Sequence, residues 1–459
     1  MRKQFAYLIT ALLLLNLSSC QSFLEIKPEG EIPTEEALQT PNDLQQLLVS
    51  CYDVLRSGNF MGGKTQILSE LMADNLDGRI LTGNWLSYHQ HNTTIFNQDT
   101  RDFWAEPYRM IYRSNTLLEN TDLIEGLDVT EKARIEAEAK FLRAVGHFEL
   151  VRFFGQPFGY TPNNDHLGIP LRLRASQDVL PRETVNAIYT SVIDDLHDAE
   201  FILPTTNGGY ATSWAAKAYL AKVHFQMNDF QNAFDYANEI ITSNQFSLNP
   251  DVMARFSTSA NNENIFSLIS TGALNHSGGA LGGGFRSDGA NDPALRFTAN
   301  LYGIATTDTS DLRGQNWYTV ANAGQPNELI FSTRFNGLDY FNVPLAHLAE
   351  MHLIRGECAA VLNDLATAEA DLNGIRTRAG LDPLVGLGQN ALIAAIRAER
   401  RLEMICEGDR LHELKRQAVY DSPSITINGD AWDCNGMVVQ FPDEEVSGNP
   451  DLVLNPEGC

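Results

Sequence analysis

The sequence is poor in basic residues and in cysteine. Lys and Arg number 33 against 58 Asp and Glu, which gives a formal net charge of −25 over 459 residues. This balance repels phosphate backbones and anionic lipid headgroups, so it argues against nucleic-acid binding and against membrane attachment by charge. A neutral or cationic ligand is easier to accommodate.

The six cysteines include no close-spaced Cys and His pattern of the zinc type, and we predict no metal site and no cofactor. Cys51 follows the apolar spacing of a predicted helix. Cys358 and Cys406 lie in apolar helical patterns and are predicted to be buried thiols. Cys434 and Cys459 lie in a loop-rich C-terminal tail, where an oxidising compartment would allow a disulfide, but spacing alone does not fix the pairing.

No apolar run is long enough to span a bilayer. The longest, Phe5 to Leu17, is well short of the roughly 20 residues that a transmembrane helix requires. With Arg2 and Lys3 before it and the small Ser18 and Ser19 after it, it fits a secretory signal peptide over residues 1–19. We therefore predict export from the cytosol.

The stretch Leu17-Ser18-Ser19-Cys20 resembles the lipobox of bacterial lipoproteins. In that class the cysteine sulfur carries diacylglycerol, and the new amino terminus is acylated. One acyl chain holds only marginally, whereas several make a lasting anchor. The resemblance thus implies lipidation at Cys20, followed by a Pro- and Gly-marked tether over residues 20–41. The alternative is an ordinary signal with a chance cysteine.

The body, residues 42–459, is predicted to be mainly α-helical, since hydrophobic residues make up 43% of the chain and recur at helical spacing. Predicted helices cover Asp43 to Arg56, Lys64 to Asn75, Arg101 to Glu125 and Thr130 to Phe154.

Two segments have the interlocking small and aromatic positions of tetratricopeptide-like helix pairs. Trp214 to Ser243 is predicted as two helices joined at Asn228 and Asp229, and Leu345 to Gly380 as a second pair. Because the repeats are degenerate, they predict a layered α-helical body but not a strict solenoid. We divide this body into an N-terminal helical part (42–250) and a C-terminal part (251–459).

Two regions lack a helical period. Ser270 to Gly289 is crowded with glycine and is predicted to be a mobile loop; it lacks the Gly-Lys-Ser/Thr ending of a phosphate loop. The tail after Tyr420 is rich in Gly, Pro, Asn and Asp, and is predicted to be an irregular segment wrapped on the body.

Several motifs, in order along the chain, together resemble the SusD/RagB family of nutrient-uptake lipoproteins. They are FWAEPYRMIYRSNTLL from Phe103, AEAKFLRAVGHFELVRFFG from Ala137, LPRETVNAIYTSVIDDLHDAEFILP from Leu180, the Trp214 hairpin, LNGIRTRAGL, AERRLEMICEGDRLHELKR and the closing FPDEEVSGNPDLVLNPEGC. Two features depart from the family: the ending Glu457-Gly458-Cys459 replaces its final aromatic, and the central region is short.

The resemblance implies a single helical domain with tetratricopeptide-like pairs and an irregular, ligand-binding part. It also implies a lipid-anchored protein on the surface of the outer membrane, which forms the lid of a SusC-like TonB-dependent transporter and delivers oligosaccharide to it. No catalysis is expected. The alternatives are a peptide-capturing member of the family, a surface glycoside hydrolase and a pure scaffold.

Binding a sugar requires flat apolar surfaces for the ring faces and amides or hydroxyls for the edges. The loop from Gly83 to Asn97 offers Asn84, Trp85, Tyr88 and His89, and it lies about where the family places ligand contacts.

Trp317 and Tyr318 offer a second aromatic pair in the region where the family varies. Either aromatic set is also compatible with packing under its own loop. Trp104 and Trp214 fit helical core patterns, and we predict that they pack inside. His89 and His91 would face one way on an extended backbone, but no further metal ligands lie nearby in the sequence.

Glu399, Glu403 and Glu407 recur every four residues and would line one flank of a helix. Glycoside hydrolysis needs two carboxylates across a cleft, rather than three along one helix. Their basic neighbours Arg397, Arg400, Arg401 and Arg410 instead predict an ion-pair network that ties this helix to the body.

Overall fold

The computed structural model of the protein describes residues 37–259, 261–273, 278–289 and 292–459. The predicted signal peptide, Cys20 and most of the predicted tether lie outside these residues. The domain boundaries drawn from the sequence stay a prediction.

The fold is mainly helical, as predicted. The helices are α1 (Pro41–Leu55), α2 (Lys64–Leu71), α3 (Gly83–His89), α4 (Gln98–Asn120), α5 (Val129–Phe154), α6 (Val185–Ile202), α7 (Ser213–Gln226), α8 (Phe230–Thr242), α9 (Ala299–Ala305), α10 (Leu312–Asn316), α11 (Leu348–Val361), α12 (Leu365–Arg378), α13 (Gln389–Glu403), α14 (Arg410–Tyr420) and α15 (Asp443–Gly448). The helices predicted near α1, α2, α4 and α5 are thus confirmed, although α2 ends four residues earlier than expected.

Side-chain caps fix where many of these helices begin. Thr40 and Asp43 form a capping box at the start of α1, with Pro41 in its first turn. Asn97 accepts hydrogen bonds from the first turn of α4, and Asp128 does the same for α5. The caps satisfy backbone N–H groups that have no partner within the helix.

The long helices pack on one another largely in chain order, from α4 through α5, α6, α7 and α8 to α11, and then to α12 and α13. Trp104 is buried between α4, α5 and the C-terminal tail, with its ring centroid 4.6 Å from that of Phe154 and 5.2 Å from that of Phe441. Trp214 is half-buried and packs against the same core. The prediction that Trp104 packs inside is confirmed, whereas Trp214 packs at the edge of the core.

The two predicted helix pairs, α7 with α8 and α11 with α12, turn in the same way. At each turn an asparagine has positive φ, 58° at Asn228 and 67° at Asn363. The next residue, Asp229 or Asp364, caps the second helix. Asparagine tolerates this left-handed conformation better than most residues, and aspartate is a strong N-cap. Since α8 also packs on α11, the two pairs stack as tetratricopeptide-like layers.

Strands are few and short in the described chain. β1 (Asn264–Leu268) pairs antiparallel with β4 (Val343–His347), β2 (Tyr318–Ala321) with β3 (Leu329–Ser332), and β5 (Thr426–Ile427) with β6 (Asp430–Ala431). The pairing of β1 contains two register shifts.

The described part of the glycine-rich segment has more regular structure than the predicted loop, while residues 274–277 lie outside the described residues. Residues 278–282 form a π-helical turn and residues 283–285 a helical turn, and Leu281 and Phe285 are fully buried. This close packing is possible because Gly63 and Gly284 have no side chain. A Cβ on Gly63 would lie 2.6 Å from the Cβ of Ala280, and a Cβ on Gly284 would lie 3.2 Å from Ile67. The glycines here serve close packing as well as turns.

The C-terminal tail wraps the body with little regular structure, as predicted. Val439 donates a backbone hydrogen bond to Phe153, and Asp443 donates one to Ile95. Cys434 and Cys459 form a disulfide, so the pairing that the sequence left open is present. Cys51, Cys358 and Cys406 are buried thiols, as expected.

Among the residues that the structure describes, no helix combines the length and apolar character needed to cross a membrane.

Candidate functional site

Two adjoining hollows meet at α3, and we call them together the Trp85 groove. One has a volume of about 510 Å³ and the other about 390 Å³. Both are lined by Trp85 and Asp99. The groove is also lined by Ser57, Asn59, Lys64, Ile67, Leu68, Ile80, Leu81, Thr82, Asn84 and the backbone of Gly283 and Gly284. The tryptophan thus stands where the two hollows join.

Local hydrogen bonds hold α3 in place. Gly83, at φ 56°, begins the helix in a conformation that side chains disfavour. Tyr88 is fully buried, and its hydroxyl lies 2.5 Å from that of Thr100 on α4. Asn97 donates to Ser87 Oγ at 3.0 Å while it caps α4. These contacts tie α3 to the start of α4 and leave Trp85 half-buried at the edge of the core.

The charges in the groove balance. Lys64 Nζ, at the start of α2, lies 2.6 Å from Asp99 Oδ1 in the first turn of α4. Both side chains are largely buried, at 14% and 23% exposed. No other charged side chain lines either hollow among the described residues. An indole face beside amides, a hydroxyl and a neutralised ion pair suits a neutral polar ligand.

The predicted ligand residues of this segment divide into two groups. Trp85 and Asn84 line the groove. Tyr88 is buried and His89 is packed between α2 and the tail, with Nδ1 3.3 Å from Leu71 O and 3.3 Å from Asn428 Nδ2. Burial lowers the pKa of His89. Because residues 83–89 form a helix instead of the expected loop, the four side chains do not share one surface.

The predicted second aromatic pair does not form a surface patch, which corrects the expectation for Trp317 and Tyr318. Trp317 is 1% exposed and Tyr318 is 8% exposed. The guanidinium carbon of Arg334 lies 4.0 Å from the Trp317 ring centroid, and Phe297 packs edge-on to Tyr318. Burial raises the pKa of Tyr318. These rings stabilise the β2–β3 hairpin on the core.

His91 also departs from the expected extended backbone, since its φ is 49°. Its Nδ1 lies 2.8 Å from Asp430 Oδ2 and its Nε2 lies 2.9 Å from Met72 O. Cys459 Sγ lies close to both side chains, but it is bonded to Cys434. Hydrogen bonds and the disulfide thus occupy the atoms that would bind a metal.

The carboxylates of Glu399, Glu403 and Glu407 belong to a buried ion-pair network, as predicted, but their geometry and partners differ from the expectation. Helix α13 ends at Glu403, so Glu407 lies in the following turn. Their partners come from distant segments: Arg255, Arg313, Arg334, Arg376, Arg378 and His347. Burial opposes ionisation of Glu403, but Arg378, Arg255 and Arg313 outweigh it and hold its pKa well below the usual range.

The four basic residues named from the sequence tie this part of the chain to other segments, as predicted, through carboxylates other than these three. Arg397 binds Glu357 and Asp421, Arg400 binds Asp409, and both Arg401 and Arg410 bind Asp74.

Reasoning from the sequence missed Lys64, Asp99, Asn59 and the glycine wall of the groove. They come from three separate segments, and only the fold brings them to Trp85. The run Gly282–Gly284 carried the clearest signal, because consecutive glycines also permit close backbone approach.

Comparison with known proteins gives consistent results along the chain. Residues 22–225 match a family model described as starch-binding and associating with the outer membrane, and residues 297–457 match the SusD family model. A SusD-like protein, P25, from Formosa agariphila is 26% identical over 97% of each chain. SusD-like protein P2 from the same organism is 25% identical over 97% of this chain and 98% of its own.

Solved structures share the fold. A SusD superfamily protein from Bacteroides vulgatus superposes with a TM-score of 0.81 at 22% identity, covering 91% of this chain and 99% of its own. A surface glycan-binding protein A from Bacteroides uniformis gives a TM-score of 0.75 at 21% identity, covering 91% and 99%. With both halves of the sequence matched by family models, the chain belongs to the SusD/RagB family.

Proposed function

We propose that the protein binds a neutral oligosaccharide in the Trp85 groove and delivers it to a TonB-dependent outer-membrane transporter as its lid. The observation that carries the proposal is the position of Trp85, half-buried and shared by two adjoining hollows, in a chain of the SusD/RagB family.

The chemistry of the groove supports a sugar ligand. The apolar face of a pyranose ring packs on an indole, while ring hydroxyls exchange hydrogen bonds with amides and hydroxyls. Trp85 supplies the indole, and Asn59, Asn84 and Thr82 supply polar groups. The groove has room for more than one sugar unit, because its two hollows have volumes of about 510 and 390 Å³ and share Trp85 in their linings.

The charge balance bears on the rival ligands. A cationic peptide would favour an acidic pocket, whereas Asp99 is neutralised here by Lys64 at 2.6 Å. The same pair bears on hydrolysis, because the usual glycosidase mechanism places two carboxylates across the bond that is cut. Asp99 is the single carboxylate among the described residues of the groove. Both points support binding of a neutral glycan without catalysis.

Attachment to the membrane is proposed to occur through lipid on Cys20. Loss of the signal peptide removes Arg2 and Lys3 and no acidic residue, which leaves 31 basic and 58 acidic residues and a mature charge of −27. A protein with this negative charge is not attracted to anionic headgroups, whereas acyl chains anchor a protein to a membrane regardless of its charge. We therefore propose that lipid, rather than charge, holds the protein at the surface of the outer membrane.

The test of ligand binding uses the soluble chain that begins at Gln21. Neutral oligosaccharides, acidic oligosaccharides and short peptides are titrated calorimetrically against the wild type, Trp85→Ala and Trp85→Phe. We expect one neutral glycan to bind, Trp85→Ala to weaken it at least tenfold, and Trp85→Phe to retain part of the affinity because a flat ring remains. Trp432→Ala is the matched control, since Trp432 is also half-buried but lies outside the groove.

Equal losses in Trp85→Ala and Trp432→Ala would point to a general effect on folding and contradict the assignment of the site. For the partner, the native chain is purified from outer membranes beside Cys20→Ser. Co-purification of a large barrel protein with the native chain is expected, and its absence would contradict the role as a lid.

A further inference from the structure

A second hollow, which we call the β1 pocket, lies beside strand β1, between the loop that leads into α7 and the segment that follows Phe256. Its volume is about 310 Å³. Its wall includes Tyr210, Thr258, Asn264, Ser267, Ile269 and Asn342. It shares no lining residue with the Trp85 groove among the described residues.

The β1 pocket has an uncharged wall. None of its described lining residues is Asp, Glu, Lys, Arg or His, although one residue in five of the whole chain is charged, at 20%. Hydroxyls and amides alternate instead with apolar groups such as Ile269, which is 44% exposed. This chemistry disfavours ionic ligands and suits a neutral molecule with many hydroxyl groups.

Two atoms of this wall have no hydrogen-bond partner in the described chain. Asn264 donates from Nδ2 to Arg255 O at 3.0 Å, but its Oδ1 is left unbonded, and so is Ser267 Oγ. Both atoms are shielded from solvent. Buried polar atoms of native proteins nearly always have a partner, so these two unpaired atoms mark hydrogen-bonding capacity in the wall that its own residues leave unused.

The rest of the wall is fixed. Asn342 accepts a hydrogen bond from Ser270 N at 2.9 Å and donates one to Ser257 O at 3.2 Å. The Tyr210 ring packs on Tyr52, with their centroids 4.7 Å apart. A wall held on both sides lowers the entropic cost of binding, because little has to be ordered when the ligand arrives.

Four consecutive residues of β1, from Asn264 to Ser267, line the pocket. Successive side chains of a strand point to opposite faces, so four consecutive residues can line one hollow only along an edge of the strand. The pocket therefore runs along the edge of β1 that does not pair with β4. An extended peptide is therefore a competing occupant. The two register shifts in β1 disrupt the regular ladder that strand addition needs, and the uncharged polar wall favours a sugar.

We propose that the β1 pocket is a second binding site, for one neutral sugar unit, separate from the Trp85 groove. The unit comes either from the same glycan chain or from a free saccharide. This inference rests on the proposed function and extends it to a second site. Its test uses variants of the β1 pocket, so its outcome is distinguishable from that of the test of Trp85.

The test uses the mature chain without lipid, from Gln21, in the Trp85→Ala background. The probes are methyl glycosides of glucose, galactose and mannose, together with the oligosaccharide that binds the wild type, and binding is followed by saturation-transfer NMR and calorimetry. Ser267→Val replaces the unpaired hydroxyl with a methyl group and adds a second methyl group, on a strand, where β-branched residues are favoured. Tyr210→Phe removes one hydroxyl and keeps the ring packing, so both variants should fold.

We expect residual sugar binding in Trp85→Ala, which Ser267→Val combined with Tyr210→Phe weakens at least tenfold, with an unchanged midpoint of thermal unfolding. Binding of a methyl glycoside would identify a free saccharide as sufficient, and binding of the oligosaccharide alone would identify a unit of the longer chain. Either supports the proposal.

The proposal is overturned if Trp85→Ala alone removes all sugar binding. It is also overturned if Ser267→Val and Tyr210→Phe leave the residual sugar affinity unchanged. It is also overturned if an uncharged extended hexapeptide binds at these residues and no sugar does. Conversely, if Trp85→Ala changes nothing and the β1 variants remove binding, the groove assignment fails while the β1 pocket stands.

Discussion

Lys64 Nζ lies 2.6 Å from Asp99 Oδ1, and this ion pair joins the first turn of α2 to the first turn of α4 across the Trp85 groove. The contact does two things at once: it neutralises the groove and it fixes the separation of two helices that form its walls.

The ion pair predicts a non-additive effect on stability. Lys64→Met and Asp99→Asn should each lower the free energy of unfolding by about 1 kcal/mol, because each leaves a largely buried charge unpaired. The double variant should lose less than the sum, since neither charge remains. Urea denaturation of the four proteins gives this cycle, and simple additivity would show that the pair is not coupled.

The buried network predicts strong sensitivity at Glu403. Glu403→Gln removes the carboxylate that Arg255, Arg313 and Arg378 have in common, and should lower the free energy of unfolding by about 3–5 kcal/mol. Glu444→Gln is the matched control, because Glu444 pairs with Arg101 at the surface. We expect a small change there. Equal changes would contradict the assignment of Glu403 to the core of the network.

The same network predicts an acid limit. The folded-state pKa of Glu403 and that of Glu407 lie below the ordinary value of about 4.3, so their stabilising contribution is complete above that pH and is lost as the pH falls. In Glu403→Gln the free energy of unfolding should therefore depend less steeply on pH below about pH 4. Urea denaturation at several pH values measures this, and identical slopes of the free energy of unfolding against pH in the wild type and the variant would contradict the prediction.

Lys415 predicts the opposite dependence on pH. Burial lowers its pKa to about 7, and its ammonium donates to Met437 O with no carboxylate partner among the described residues. Unfolded lysine titrates near about 10.4, so the unfolded chain binds more protons between pH 7 and 10 and wild-type stability rises across that range.

In Lys415→Met the difference in stability from the wild type should vary over this same range. Below pH 7 the variant should be more stable by about 1–3 kcal/mol, because the cost of burying the charge exceeds the lost hydrogen bond. Denaturation at pH 6, 8 and 10 measures this, and a difference that does not vary with pH would contradict it.

The two helix-pair turns predict unequal costs. At Asn363, Gly should be tolerated and Ala should cost about 1 kcal/mol, because φ is 67°. At Asn228 even Gly should destabilise, because this side chain accepts a hydrogen bond from Arg416 Nη1 at 3.0 Å and donates to Arg416 O. Thermal unfolding of Asn363→Gly, Asn363→Ala and Asn228→Gly tests the difference, and equal effects of Gly at both sites would contradict it.

Much of the helical framework was predictable because its signals are local. Asn228-Asp229 and Asn363-Asp364 mark both turns, and apolar spacing marks α4 and α5. The candidate site was predicted only in part. Trp85 and Asn84 line the groove, but Tyr88, Trp317 and Tyr318 are buried. An aromatic residue in a polar stretch has the same sequence pattern whether it faces a ligand or the core.

Periodicity, caps and motif order along the chain are enough to predict the helical class, the paired layers, the structural role of Glu403 and its neighbours, and the likeness to the SusD/RagB family. Three features follow from tertiary packing alone: which aromatics stay accessible, which arginines meet the buried carboxylates, and the convergence of Lys64, Asp99 and the glycines of residues 283 and 284 on Trp85. These depend on segments far apart in sequence, and burial is settled by what packs against a side chain rather than by its own neighbours.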